Sequence, residues 1–324
     1  ELLKDGLEAG EHARALNYAD VRRVGGGYVL HDGISDRSLA IAPRIIVNAT
    51  GGWIDLTNRE ILPPTDAAAP LMGGTKGSHL MIDNAALLEA LGGHMLYFEN
   101  EDGRICILFP YLGKVLVGST DIRVDDPGTV RCEADERDYI LQSLAFVLPD
   151  IKIVPADIVF QFAGVRPLPA SDDSFTGRIP RDHFCTFVEQ TGSPPVLCMI
   201  GGKWTTFRSF GELAASMVLD RLGRGVAVQT AERAIGGGRN YPAVALPWKR
   251  SLAARTGLPP ARIEDLFSTY GTSASDFAEF IAAGLDEPLA DSGHSSREFI
   301  HLIHSEAVEH LDDLLLRRTT LAVS

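Results

Sequence analysis

The chain has 324 residues, 45% of them hydrophobic and 23% charged, which is enough for a large core and more than one domain. A formal charge of −13 argues against a nucleic-acid partner, because phosphate-backbone binding needs net or clustered positive charge. Four widely separated cysteines (Cys106, Cys132, Cys185, Cys198) form no C-x-x-C and are expected to be reduced and mostly buried.

Residues 1–12 lack the character of a domain start, and the chain reads as cut from something longer. Residues 18–24 and 28–30 flank Gly25, Gly26 and Gly27 as a hairpin. An apolar strand at 44–47 runs into Asn48, Ala49, Thr50, Gly51 and Gly52, small residues that let a ligand approach the backbone. Pro63, Pro64 and residues 67–70 then read as a connection. From about residue 71 to 164 strands dominate, at 78–82, 95–98, 105–109, 115–118 and 158–162. One helix at 133–148 interrupts them and ends at Pro149. A mostly antiparallel sheet is the economical reading. The apolar run 196–200 suits a buried strand. Gly201 and Gly202 follow, then a helix over 207–222 that Thr205 or Thr206 can cap. After Gly236, Gly237 and Gly238, helical periodicity returns at 252–256, 263–270, 274–283 and 297–316. No apolar run is long enough for a membrane-spanning helix, which leaves peripheral attachment open.

Several residues carry chemistry. Lys76 and His79 precede an apolar strand and can point into a cleft from its mouth, and His suits proton transfer near neutral pH. Arg166, between Val165 and Pro167, offers a fork of donors to an oxyanion or phosphate, or pairs with Asp172 or Asp173 on the surface. Arg181 carries the same two readings. Ser119, Thr120 and Asp121 close a strand, either to bind substrate or to form a turn. The N–H groups after Gly201 and Gly202, with Lys203, attract a carbonyl or anionic edge. Gly202-Lys203 is not a P-loop, and Gly25-x-Gly27 is not a dinucleotide fingerprint. His301, His304 and His310 read as a solvated helical face, so no metal site is expected.

Together the motifs resemble FAD-dependent, quinone-linked glycerol-3-phosphate dehydrogenase. They are Val47-Asn48-Ala49-Thr50-Gly51 with Trp53, Lys76-Gly77-Ser78-His79, Gly118-Ser119-Thr120-Asp121, Gly164-Val165-Arg166-Pro167-Leu168, Arg181-Asp182, and Gly201-Gly202-Lys203 with Thr205-Thr206. They stand in the family's order over residues 15–222. The resemblance implies hydride transfer from C2 of sn-glycerol 3-phosphate to FAD, giving dihydroxyacetone phosphate, with electrons passed to a membrane quinone. It makes His79 the base and Arg166 the stabiliser of the alkoxide. Arg181 and Ser119 then hold the phosphate, Lys76 and Thr205 also touch substrate, and Lys203 sits between flavin edge and substrate. Ala49, Thr50, Gly51 and Trp53, with Gly201, Gly202, Lys203, Trp204, Thr205 and Thr206, line the cofactor.

The family's opening strand, G-x-G-x-x-G turn and ribose-binding acid are not in the sequence, nor is its pocket-closing Arg-Tyr pair. An N-terminally truncated fragment is therefore expected, inactive alone and without native affinity for FAD. The expected fold is α/β (α+β): an incomplete FAD-binding Rossmann-like domain, an antiparallel-sheet substrate domain and an all-helical C-terminal region. The boundaries are 1–70 and 188–235 for the FAD-binding part, 71–187 for the substrate domain and 236–324 for the helices. The expected place is the inner face of the cytoplasmic membrane, peripherally attached, with the oligomeric state open and a homodimer among the options. The alternatives are glycerol-3-phosphate oxidase, which uses oxygen, and a non-catalytic fragment of an amino-acid-oxidase-type flavoprotein.

Overall fold

The computed structural model describes residues 1–64, 69–171, 179, 182–225, 228–290 and 292–323. They fall into two compact units, Tyr18–Ala231 and a second formed by Glu1–Asn17 with Glu232–Ser324. The first residues thus group with the C-terminal helices rather than with the strands that follow them. They form the short helix α1 (Leu2–Glu8).

The larger unit opens with β1 (Ala19–Val24), β2 (Gly27–Asp32) and β3 (Arg37–Ile41), an antiparallel sheet in that order. Gly25 and Gly26 both take positive φ (58° and 85°), the two-residue turn that matches strand twist. β3 is not among the expected strands, because it is almost wholly exposed and shows no alternation. The Asp32 carboxylate makes it, accepting from the Ile34 N–H and the Ser35 hydroxyl to turn the chain.

Next come β4 (Ile46–Asn48), α2 (Ile54–Ile61), β5 (Thr75–Ile82), α3 (Ala85–Leu91), β6 (Leu96–Glu99), β7 (Ile105–Tyr111), β8 (Lys114–Gly118), β9 (Ile122–Arg123), α4 (Ala134–Val147) and β10 (Ile158–Arg166). The expected antiparallel sheet is present, in the order β10-β5-β8-β7-β6 with β9 beside β5. Leu80, Ile82, Leu108, Val115 and Val117 point from its strands into one core with Leu87 and Leu91 of α3 and Ile140 and Leu144 of α4. The sequence reading missed α2 and α3, which are about two turns long and too short for a clear period. α3 is set by its ends: the Asn84 side chain caps Leu87, and Gly92 ends the helix in the left-handed region (φ 53°).

β11 (Phe184–Val188) and β12 (Val196–Ile200) return to β4 in a three-stranded sheet, order β11-β12-β4, with β12 parallel to β4. Val196, Cys198 and Ile200 pack there with Tyr28, Ile54 and Ile61. α5 (Phe207–Arg221) follows. All four cysteines are free thiols, three of them buried and Cys185 partly so.

The second unit adds α6 (Ala245–Thr256), α7 (Pro260–Tyr270), α8 (Ala274–Ala282) and α9 (Ser296–Ser305), packed around Leu252, Ile263, Phe267, Phe277, Ile281 and Leu302. The helix expected over 297–316 breaks after Ser305. Ala307 turns to φ 52°, and the Asp313 carboxylate accepts from the N–H groups of Glu309 and His310, starting a separate π-helical stretch, Asp313–Arg318. Arg262, His294 and Tyr270 surround the buried carboxylate of Glu298. No helix among the described residues is long and apolar enough to cross a membrane.

Candidate active site

β5 supplies the centre of the site. Its period of two sends Lys76, Ser78, Leu80 and Ile82 toward α4, and Gly77, His79 and Met81 to the other face. On that other face His79 lies opposite Gly118 of β8 and Phe162 of β10, while Gly77 lies opposite Gly164. The glycines make room for the two reactive side chains. A Cβ at Gly118 would come within 2.3 Å of the His79 ring, and one at Gly77 within 2.2 Å of the Arg166 guanidinium. His79 stacks on Phe162 with ring centroids 5.1 Å apart and an angle of 8° between planes.

Burial, and then the charge of Arg166, lower the His79 pKa to about 4. The imidazole is therefore neutral near physiological pH. Its Nδ1 is buried with no hydrogen-bond partner among the described residues. Arg166 does not stand in solvent. Its Nη2 donates to Ser119 Oγ (2.7 Å) and to the Thr120 carbonyl (3.1 Å), and its Nη1 lies 3.2 Å from Asp121 Oδ1. The turn after β8 is thus the clamp that aims Arg166. Arg181, Asp172 and Asp173 lie outside the described residues.

Lys76 has a different environment from the one its sequence position suggests. Its Nζ sits 2.6 Å from Glu136 Oε2 on α4 and donates to the Arg131 carbonyl at 3.1 Å. Glu136 Oε1 also accepts from Ser78 Oγ and Thr120 Oγ1, both at 2.7 Å. Burial alone would raise the Glu136 pKa; the hydrogen bonds from Lys76, Thr120, the Glu133 N–H and Ser78 outweigh it and hold the pKa below the ordinary carboxylate value. Sequence reasoning missed Glu136. Its visible signal was the pair Glu133 and Glu136 at capping-box spacing, which indicates a helix start rather than a site.

The second half of the site comes from the parallel pair β4 and β12, whose carboxyl ends open side by side into the two glycine turns. Ligands of α/β sheets sit at such ends. After β4, buried Asn48 organises the turn: its amide donates to the Ile54 carbonyl and Asn58, and its Oδ1 accepts from the Thr50 hydroxyl (2.6 Å) and N–H. Ala49 and Thr50 are exposed, Gly51 has φ 61°, and Trp53 is 43% exposed. After β12, Gly201 (φ 76°) and Gly202 (φ 95°) turn the chain, and a Cβ at Gly201 would meet the Asp182 carbonyl at 2.2 Å. Thr206 Oγ1 accepts from the Lys203 N–H (2.9 Å) and donates to its carbonyl (3.0 Å). Thr206 therefore closes the turn instead of capping α5. Lys203, Trp204 and Thr205 are exposed, with Trp204 94% accessible.

The halves meet within the one unit. A Cβ at Gly52 would lie 2.9 Å from Val165 and one at Gly51 3.8 Å from Pro167, so the β4 turn rests on the segment that carries Arg166. An unpartnered imidazole nitrogen, glycine turns without side chains and an uncovered Trp204 fit a planar cofactor laid along the turns. In the helical unit His301 packs edge-on against Phe277 and His304 against Phe280.

The family model described as FAD dependent oxidoreductase matches residues 2–208, more than half the chain. The model described as the C-terminal domain of alpha-glycerophosphate oxidase matches residues 228–324. The chain belongs to the FAD dependent oxidoreductase family. It is 31% identical to a glycerol-3-phosphate dehydrogenase of Synechocystis over 87% of this chain and 52% of the relative. It is 29% identical to one of Pseudomonas aeruginosa over 98% of this chain and 61% of the relative. A solved structure, the glycerol-3-phosphate dehydrogenase of Bacillus halodurans complexed with FAD, superposes with a TM-score of 0.74 and 25% identity over 94% of this chain and 60% of that one. The chain thus spans about half to three-fifths of the length of these relatives.

These matches correct two expectations. The chain is not retained as an N-terminally truncated fragment, nor its α/β part as an incomplete Rossmann-like domain, because the FAD dependent oxidoreductase model is matched from residue 2 onward. The expected loss of FAD affinity and activity, which followed from truncation, is withdrawn with them. The physical reason is that a missing G-x-G-x-x-G removes one way of presenting N–H groups to a diphosphate; it does not measure the extent of a domain. Here β12 packs through Val196, Cys198 and Ile200 against Tyr28 of β2 and Ile54 and Ile61 of α2.

Proposed function

We propose that this protein oxidises sn-glycerol 3-phosphate to dihydroxyacetone phosphate with FAD as cofactor. What carries the reading is the pairing, in one unit, of a neutral, unpartnered His79 and a clamped Arg166 with the two glycine turns. The names of the relatives and of the superposed structure support the substrate and the cofactor. FAD would rest along Ala49, Thr50, Gly51 and Trp53 and along Gly201 to Thr206; when bound it supplies the acceptor for the C2 hydride.

The chain's own residues then have these roles. His79, neutral at working pH, takes the proton of the C2 hydroxyl. Arg166, held by Ser119 and Asp121, offsets the negative charge that grows on that oxygen. Ser119, Thr205 and Arg181 hold the substrate, with Arg181 on the phosphate. Lys203, exposed at the turn, lies at the flavin edge. Lys76 is not kept as a substrate contact, since its ammonium is engaged by Glu136 and the Arg131 carbonyl. The electron acceptor is a quinone, reached from a peripheral position on the inner face of the cytoplasmic membrane. The second reading, an oxidase, draws on the description of the C-terminal family model.

The purified protein should show flavin absorbance at about 450 nm that bleaches when sn-glycerol 3-phosphate is added without oxygen. Bound flavin that stays oxidised under those conditions would refute the function. Hydrogen peroxide formed stoichiometrically in air would favour the oxidase. Arg181→Ala should raise the KM for glycerol 3-phosphate by at least about tenfold, and an unchanged KM removes the phosphate role.

A further inference from the structure

We propose that Glu136, on α4, is the positioning residue for His79 and Arg166. The inference rests on the function proposed for that same site. Two of the groups that Glu136 holds, Ser78 and Thr120, are each one step along the chain from a residue of the site. Ser78 precedes His79 on β5. Thr120 stands between Ser119 and Asp121, the two side chains that clamp Arg166, and its own carbonyl accepts from Arg166 Nη2. Ser78 N–H donates to Thr120 Oγ1 at 2.9 Å, so Thr120 ties β5 to the turn after β8 as well as to Glu136. One carboxylate thereby fixes the strand that carries His79 and the turn that clamps Arg166.

The polar groups in this network are buried and mutually satisfied. Ser78, Thr120 and Glu136 are each 2% exposed or less, and Lys76 is 9% exposed. Lys76 neutralises the charge that burial would otherwise penalise. Alternation along β5 adds the geometric link. A shift of Ser78 relative to α4 tilts the opposite face of the strand, where His79 meets Gly118 and Gly77 meets Arg166 with no room for a methyl group. A network of this kind has two arrangements, satisfied or broken, and the site's alignment follows the first.

The experiment uses the full chain with Glu136→Gln and Glu136→Asp, and reads the His79 ring by NMR in histidine-labelled protein, assigned with His79→Gln. In the parent protein the His79 midpoint is expected near 4. Glu136→Gln should raise it by at least about one pH unit, because a loosened site admits water and moves Arg166 away. Glu136→Asp, which keeps the charge, should recover part of the shift. With glycerol 3-phosphate, kcat should fall by at least about tenfold with a smaller change in KM. A Glu136→Gln protein that melts earlier but keeps the parent His79 midpoint overturns the proposal, because that is the result of a purely structural residue. If Glu136→Gln does not fold, Thr120→Val and Ser78→Ala, each lacking one bond to Glu136, are read by the same titration and the same criterion. The titration needs no turnover, so it decides the role of Glu136 even if the protein does not oxidise glycerol 3-phosphate.

Discussion

His79 is held between opposing physical demands: a base must meet its substrate, yet burial against Phe162 and the nearness of Arg166 deny the ring its charge. The depressed pKa gives a signed prediction. The acid limb of kcat/KM should lie near 4 rather than near the ordinary 6.5, and a limb at 6 to 7 would remove His79 as the base. The same shift links to stability. As pH falls below 6.5 the unfolded chain takes up a proton that folded His79 refuses, so stability is lost progressively down to about pH 4. Denaturant melts of the parent and His79→Gln across that window test this, since the variant should lose part of the slope. The glycines beside these residues are equally testable. Gly118→Ala drives a methyl group into the His79 ring. It should destabilise by about 1–3 kcal/mol and reduce turnover at least about tenfold, as read by melting and steady-state kinetics.

At the scale of elements, the two glycine turns differ in what sets them. Asn48 organises the first through side-chain hydrogen bonds, whereas the second depends on backbone freedom at Gly201 and Gly202. Gly201→Ala combines a left-handed φ with a Cβ 2.2 Å from a carbonyl oxygen. Its expected effect is a destabilisation of at least about 1–3 kcal/mol together with weakened flavin retention on a sizing column. Flavin retention equal to the parent would place the cofactor elsewhere. The strands and longer helices were legible because their burial repeats: five apolar residues for β12, and a one-sided stripe on α4. The short helices α2 and α3 and the exposed β3 carried no such repeat, and the break after Ser305 lay within a continuous helical pattern.

On the scale of the whole molecule, the two units have separate cores and their own buried ionic groups. In the helical unit burial alone would raise the Glu298 pKa, but hydrogen bonds from His294, Arg262 and Tyr270 bring it down to about 2. The stability it contributes is present above its unfolded value of 4.5 and lost as pH falls toward 2. Glu298→Gln should lower unfolding free energy at neutral pH by about 1–3 kcal/mol, because it removes the carboxylate charge that half-buried Arg262 pairs with. It should leave the His79 titration unchanged, since the described residues of the two networks share no partner. A moved His79 midpoint would show the two units to be coupled.

The sequence by itself determined the family, the antiparallel sheet, the helical C-terminal region and the residues with reactive identities, because motif order and hydrophobic period are properties of the chain alone. It could not decide partners. Lys76 reads as a cleft residue until α4 brings Glu136 to within 2.6 Å. Arg166 reads as a surface charge or an anion site until the turn after β8 closes on it. Tertiary structure decided these points because they depend on which distant segments fold against one another, and Lys76 and Glu136 are 60 positions apart along the chain.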